Sequence, residues 1–300
     1  MECLSEANTQ FSLNLFKNIS EGNPSKNVFY SPISISFALA MVSLGAKGNT
    51  ATQIFKVFSH LCTPVTDVSM DQIHSGFNKL MSELNKPGVP YVLSLANRLY
   101  GEQSYQFAQT KPVKMMYQKA EFPLAFIPEL NSQVLELPYV GKNLSMLIIL
   151  PNEIQDQTTD SLMQLEKALT YEKIMEWTKP SKMRRQEVRV SLPRFKMEET
   201  YDMKSLLISM GMEDVFNEQK VNLSGMSPNN DLVVSKVVHK SFVEVNEEGT
   251  EASAATGVII IEKLSMPLDP KTFTADHPFL FFIRHNPSNS IIFYGRFCSP

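Results

Sequence analysis

The distribution of helical and strand-like periodicity along the chain is the feature that most constrains its fold. Before Pro90, apolar residues recur at helical spacing, and we predict helices over 5–19, in the stretch after Ser31, over 49–58 and over 70–84. After Pro90, strand-like runs dominate at 91–99, 115–117, 133–137, 144–150, 187–192, 233–245 and 290–297, with short helices predicted at 159–169, 171–177 and 202–210. Helices gathered at the start of a chain and strands at its end favour an α+β fold. Because we find no internal repeat or Gly/Ser linker, we predict a single domain over 1–300.

The charge balance excludes several classes of partner. With 28 basic and 31 acidic residues, the formal net charge of −3 gives no attraction to nucleic acid or to an anionic membrane. The N-terminal residues have neither the basic region nor the apolar run of a signal peptide, and we find no apolar run near the roughly 18 residues that span a bilayer. We therefore expect a cytoplasmic protein, with leaderless release as the route to the extracellular space.

Motifs of enzyme chemistry are missing from the sequence. We find no Gly-rich phosphate loop, no GxSxG elbow and no HExxH, and the histidines lack the spacing of metal ligands. His239 lies within a predicted strand, where a hydrogen-bonded structural histidine is expected. Cys3, Cys62 and Cys298 are odd in number and lack CxxC spacing, which favours reduced structural thiols. We predict a protein that is not an enzyme and that needs no metal or cofactor.

The segment EEGTEASAATGVIIIEK, residues 247–263, suits neither a helix nor an exposed loop. In an extended conformation its residues alternate between two faces, so Thr250, Ala252 and Ala254 share one small, mostly apolar face. Such a face could slide beneath side chains already packed on a sheet. At the end of the segment, Lys263 offers a trypsin-like protease a cationic side chain next to the Lys263–Leu264 bond. By itself the segment leaves two interpretations open, an ordinary loop between strands and a strand that can be inserted.

Motifs along nearly the whole chain resemble the serpin family. The stretches KSFVEVNEEGTEASAAT and ADHPFLFFIRHNPSNSIIFYGRFCSP resemble the serpin hinge and C-terminal signature. NVFYSPISISFALAMVSLGAKGNT, ELPYVGKNLSMLIILP and VSLPRFKMEETYDMKSLLISMGM match the family elsewhere. The form of the hinge and the ending FCSP resemble the ovalbumin-type intracellular branch.

This resemblance implies a serine protease inhibitor that acts as a suicide substrate. The fold would be the serpin fold, with a large β-sheet, a smaller barrel-like pair of sheets and surrounding helices. The reactive-centre loop would span 247–267, with Lys263–Leu264 as the reactive bond, and the partner would be a trypsin-like serine protease. After cleavage the loop would insert as a new strand of the main sheet. We expect a monomer that is prone to aggregation.

The resemblance also implies roles for residues around the loop. The hinge residues would be Glu247, Glu248, Gly249, Thr250, Glu251, Ala252, Ser253 and Ala254. Arg194 would form a salt bridge with Glu247, and Ser34 and His239 would belong to a hydrogen-bonded cluster beneath the sheet that lets its central strands part.

The chain departs from the family near residues 107–111. Members of this branch are longer by roughly eighty residues, which is well beyond ordinary loop variation. The stretch that ends at Phe107 is followed within three residues by TKPVKMMYQ, so two helices and about three strands are expected to be missing. One of these is the central strand beside which the cut loop normally inserts. The alternative function is therefore that of a non-inhibitory serpin isoform, a protease substrate or a binding protein.

Overall fold

The computed structural model describes residues 2–21, 25–59, 70–84, 86, 114–152, 158–246 and 270–299. The helices in these parts of the chain are α1 (Glu2–Ser20), α2 (Pro32–Gly45), α3 (Gly48–Ser59), α4 (Met70–Leu84), α5 (Thr158–Ala168), α6 (Tyr171–Trp177) and α7 (Met203–Ser209). All of them lie where the spacing of apolar residues predicts helices, with ends that differ by a few residues at most. The predicted strand at 91–99 lies outside the described residues.

The strands of the described residues form two sheets. They are β1 (Val28–Tyr30), β2 (Met115–Ile127), β3 (Ser132–Pro138), β4 (Leu144–Pro151), β5 (Arg184–Pro193), β6 (Phe195–Asp202), β7 (Val238–Val245), β8 (Lys271–Thr274), β9 (Phe279–His285) and β10 (Ser290–Phe297). The larger sheet has eight strands in the order β1-β10-β9-β4-β3-β2-β5-β8, and β6 and β7 form a two-stranded sheet. All pairs are antiparallel except β5 with β8. Helices packed with a large and a small sheet confirm the α+β class.

Strand β4 shows why the larger sheet is buried on both faces. Every residue of its sequence LSMLIILP is buried. Leu147 and Ile149 contact one apolar cluster, which includes side chains of α1 and α5, whereas Met146 and Ile148 contact a second cluster on the other face. An uninterrupted apolar strand is expected where both faces of a sheet are covered.

Helix α2 begins at a well-formed cap. Ser31 has an extended backbone and its hydroxyl accepts a hydrogen bond from the Ser34 N–H at 3.3 Å. Pro32 occupies the first turn, where no helical partner is needed for a backbone N–H. The helix is apolar around most of its circumference, and it contacts β10 and α1. Its start is thereby fixed beside β1 and β10.

The end of β10 is held by a buried ion pair and by close packing. The Arg296 guanidinium donates to both carboxylate oxygens of Glu166 on α5, at 3.1 and 3.3 Å, and to the Lys26 carbonyl at 2.9 Å. Arg296 is wholly buried. One residue earlier, the backbone of Gly295 lies against the Phe281 ring, and a Cβ atom there would come within 2.2 Å of that ring.

Several strands differ from their sequence-based prediction, and β8 and β9 were not predicted individually. The strand predicted over 233–245 was wrong at its start, because the structure begins β7 at Val238. Strand β6, with sequence FKMEETYD, was not predicted, since one of its faces is polar and exposed and its apolar alternation is short. Strand β2 continues to Ile127 through Pro123, well past the predicted 115–117, because it pairs with β5 along most of its length.

Candidate functional site

The flanks of the predicted reactive-centre loop are described, whereas the loop itself is not. Lys263, Leu264 and the hinge residues 247–254 lie outside the described residues. On one side the loop follows β7, which ends at Val245, and on the other side it precedes β8, which begins at Lys271. Strand β8 is the last strand of the eight-stranded sheet, and β7 belongs to the two-stranded sheet. The loop therefore connects the edges of two different sheets.

His239 joins β7 to the beginning of α2. Its side chain is only 5% exposed, and its Nε2 atom accepts a hydrogen bond from the Ser31 N–H at 2.9 Å. The Ser31 hydroxyl in turn donates to the Ile292 carbonyl at 2.9 Å and accepts from the Ser34 N–H. Ser34 and His239, the two residues expected in a cluster beneath the sheet, are thus linked through Ser31. The prediction that this cluster lets strands part stays a prediction.

Two further side chains tie the two-stranded sheet to β1, and sequence reasoning missed both. The Ser241 hydroxyl donates to the Phe29 carbonyl at 2.6 Å, and the Tyr201 hydroxyl accepts from the Phe29 N–H at 3.2 Å. Ser241 lies two residues after His239 and so shares its face of β7. That alternation is the signal that could have revealed the role of Ser241. The Ser31–Pro32 pattern of a helix start could likewise have pointed to Ser31 as the partner of His239.

Burial sets the protonation of the groups under this sheet. It lowers the pKa of His239 to about 4, so the imidazole is neutral at physiological pH and Nε2 is free to accept. Burial raises the pKa of Glu199 on β6 to about 7, although the positive charge of Lys26 acts in the opposite direction. Burial also raises the pKa of the Tyr201 hydroxyl, and the nearby Glu199 carboxylate adds to that effect. At neutral pH the His239 imidazole is therefore neutral and the Tyr201 hydroxyl keeps its proton, whereas the Glu199 carboxyl is about half ionised.

Arg194 is the predicted partner of Glu247, the first hinge residue. It is exposed and stands between β5 and β6, and its backbone N–H donates to the Lys114 carbonyl at 2.8 Å. Phe195 pairs with Val245, so the same register continued by one residue sets Arg194 opposite Asn246. Glu247 is the next residue along the chain and lies outside the described residues. The salt bridge between Arg194 and Glu247 stays a prediction.

Metal sites, reactive thiols and membrane-spanning helices each place requirements on the described parts of the chain. No group of three or more His, Cys, Asp or Glu residues there is arranged to hold a metal ion. Cys298 is a free thiol, and burial raises its pKa to about 11. Among the described helices, none combines the length and apolar character needed to cross a bilayer.

Comparison with known families identifies the chain. The profile of the serpin (serine protease inhibitor) family matches residues 6–110 and 108–300. The chain belongs to the serpin family. It is 42% identical to the leukocyte elastase inhibitor of Equus caballus and 43% identical to that of Homo sapiens, in each case over all of both chains. The crystal structure of uncleaved ovalbumin matches this serpin with a TM-score of 0.78 and 29% identity, covering 99% of this chain and 100% of that one.

The comparisons also locate the shortfall in this serpin. Both alignments extend over 389 positions, against the 300 residues of the chain. The family profile matches in two parts that meet at residues 108–110. Both observations confirm that an internal segment is missing near residues 107–111, and the serpin fold and the likeness to ovalbumin-type members are confirmed as well.

Proposed function

We propose that this serpin inhibits trypsin-like serine proteases and that Lys263 is the residue they recognise. The observation that carries the proposal is that 247–263, with its small alternating face and its terminal Lys, follows directly on β7. Because they follow β7 so closely in the chain, the hinge residues can fold back and run antiparallel to β7. The similar leukocyte elastase inhibitors are named for a different protease. A small pocket of the elastase type does not suit a Lys, whereas the carboxylate in a trypsin pocket does.

The proposed reaction consumes one inhibitor for each protease molecule. The protease serine attacks the Lys263 carbonyl carbon, the Lys263–Leu264 peptide bond breaks, and Leu264 leaves as a free amine. Lys263 is then held as an ester on the protease. Insertion of the freed segment beside β7 would add a strand to the two-stranded sheet, which takes the part of the family's main sheet here, and would pair backbone groups along the edge of β7. Thr250, Ala252 and Ala254 would be among the first residues to enter, and their small size avoids steric obstruction.

A specific observation favours the alternative of a non-inhibitory serpin. Within the described residues β7 pairs with β6 alone. An inserted strand would find β7 on one side, but the family's central strand on its other side belongs to the missing segment. The inserted segment would then form hydrogen bonds along one edge instead of two, which reduces the free energy available to trap a protease. A protease could cut the loop and depart.

Trypsin distinguishes the two functions. The purified chain is mixed with trypsin and the products are separated on a denaturing gel. Inhibition predicts a covalent complex of the chain with trypsin, whereas a substrate is cut after Lys263 and no complex forms. A chain left intact at Lys263 would contradict the assignment of the bait residue and with it the proposal.

Two variants serve as matched controls. Lys263→Ala removes the charge that trypsin reads, so we expect neither complex nor cleavage at this bond. Thr250→Arg keeps the bait but places a charge on the face that must be buried, at a free-energy penalty of several kcal/mol when unpaired. We therefore expect Thr250→Arg to be cleaved without trapping trypsin. If it trapped trypsin as well as the parent, insertion along this face would be wrong.

The remaining functional expectations from the sequence belong to the same proposal. They are a cytoplasmic location, a reactive-centre loop over 247–267 and a chain that engages no nucleic acid, membrane or cofactor.

A further inference from the structure

Strand β7 has one edge that no described residue occupies. Along β7 the residues 238–245 pair with β6 in a single antiparallel register, and the described residues offer no other strand as a neighbour. An eight-residue strand with one open edge is a template for pairing with another strand.

The backbone of β7 directs alternate residues toward this open edge. The Met203 N–H donates to the Val237 carbonyl at 2.8 Å, and in the β6–β7 register these two residues are directly opposite. In an antiparallel pair, every second residue exchanges both backbone bonds with its opposite number, and the residues between point theirs away. His239, Ser241 and Val243 therefore bond to β6, and the N–H and C=O groups of Lys240, Phe242 and Glu244 face the open edge.

The side chains of the same three residues make the edge complementary to itself. Lys240, Phe242 and Glu244 share the outer face of β7, and Phe242 is 46% exposed. A two-fold axis through Phe242 sets Lys240 of each copy opposite Glu244 of the other and brings the two Phe242 rings together. The next registers that use the same backbone groups oppose Lys to Phe or Glu to Phe, and those beyond oppose Lys to Lys or Glu to Glu. One register alone pairs unlike charges.

Strand β6 extends this charge pattern across the four strands that would result. Within one chain, Lys240 forms an ion pair with Glu198, and Lys196 lies 4.0 Å from Glu244. Lys196 also lies over the Phe242 ring, 4.9 Å from its centre. In the two-fold arrangement, Glu244 would lie between Lys196 of its own chain and Lys240 of the second copy. Lys240 would likewise lie between Glu198 of its own chain and Glu244 of the second copy.

We propose that this serpin forms a two-fold symmetric dimer in which the β7 strands of two copies pair edge to edge. The contact is isologous, since the same residues serve on both sides, and it closes after two copies. It joins the two-stranded sheets into one of four strands in the order β6-β7-β7-β6. The dimer contact uses the same edge of β7 that loop insertion needs, so the dimer must dissociate before a cut loop can insert. It takes the place of the aggregation-prone monomer expected from the sequence.

Charge reversal at two positions provides the test. Lys240→Glu places Glu opposite Glu244 at both ends of the contact, and Glu244→Lys places Lys opposite Lys240. Each reversal removes an attractive cross-strand pair and puts a repulsive one in its place at both ends of the contact, so it should weaken dimerisation on the order of 10- to 100-fold. In an equimolar mixture of the two variants, every Glu faces a Lys again. We expect each variant alone to be monomeric and the mixture to form heterodimers.

Sedimentation equilibrium and native mass spectrometry of the full-length chain measure these states. Lys119→Glu serves as the control. Lys119 is an exposed residue of β2 that pairs with Glu187 at 3.0 Å, so this substitution makes the same charge change away from β7. It should dimerise like the parent. Heterodimer formation in the mixture also demonstrates that both single variants are folded.

Several results would overturn the proposal. One is a parent chain that stays monomeric at concentrations of hundreds of micromolar. That result is expected if another segment of the same chain covers the open edge of β7. A ladder of species larger than dimers would show a contact that does not close. Dimers of the single variants as tight as those of the parent, or a mixture that fails to form heterodimers, would exclude this register.

Discussion

Protonation of His239 should make the stability of this serpin depend on pH below neutrality. Burial lowers the His239 pKa from the ordinary value of 6.5 to about 4. Between these two values the unfolded chain binds a proton that the folded chain does not. The contribution of His239 is therefore complete above pH 6.5 and is lost as the pH falls toward 4. Linkage gives a loss of about 2 kcal/mol at pH 5 relative to pH 8, and about 3 kcal/mol below pH 4.

The assay is urea unfolding at pH 8, 7, 6 and 5, with His239→Gln as the matched variant. The glutamine oxygen can accept from the Ser31 N–H as Nε2 does, but it does not titrate. Glu199 acts with the opposite sign, since its raised pKa stabilises the folded state as the pH falls through 7. Burial lowers the pKa of His285 as well. Both groups are present in the parent and in the variant, so the difference between the two proteins isolates His239.

We expect the parent to lose about 2 kcal/mol more than His239→Gln between pH 8 and pH 5. Equal losses in the two proteins would refute the reasoning, because they would show that His239 titrates normally in the folded state. A larger loss in the variant would show that His239 is charged in the fold and paired with a group on another element.

Two more predictions concern the packing at β10. Gly295→Ala should destabilise the fold by about 1–3 kcal/mol, because the new methyl group meets the Phe281 ring at 2.2 Å; in thermal unfolding, the double variant Phe281→Ala/Gly295→Ala should lose less than the two single losses added together. Glu166→Gln should remove about 3–5 kcal/mol, because it takes away the carboxylate that pairs with the buried Arg296 guanidinium. Glu187→Gln breaks the exposed pair with Lys119 and should leave the midpoint of urea unfolding unchanged, and equal effects of these two variants would contradict the role of burial.

Local patterns were sufficient to predict most of the helices and several strands. Helices such as α4 and α6 depend on the spacing of apolar residues along a few turns, and both were located at their observed ends. β4 was equally clear, because a strand buried on both faces is apolar throughout. β6 was missed because its exposed face carries Lys196 and Glu198, which interrupt the apolar run. Its existence depends on pairing with β7, a residue range some forty positions away in the chain.

The sequence by itself determined the family, the position of the missing segment and the candidate bait. Each of these is carried by motifs of consecutive residues, from the hinge that begins at Glu247 to the junction near Phe107. Only the tertiary structure decided that Ser31, 208 positions before His239, holds that histidine, and that Lys240, Phe242 and Glu244 present their backbone to an open edge. Hydrogen bonds between distant residues and the pairing of a strand depend on which surfaces meet in the folded chain. No local pattern of residue types contains that information.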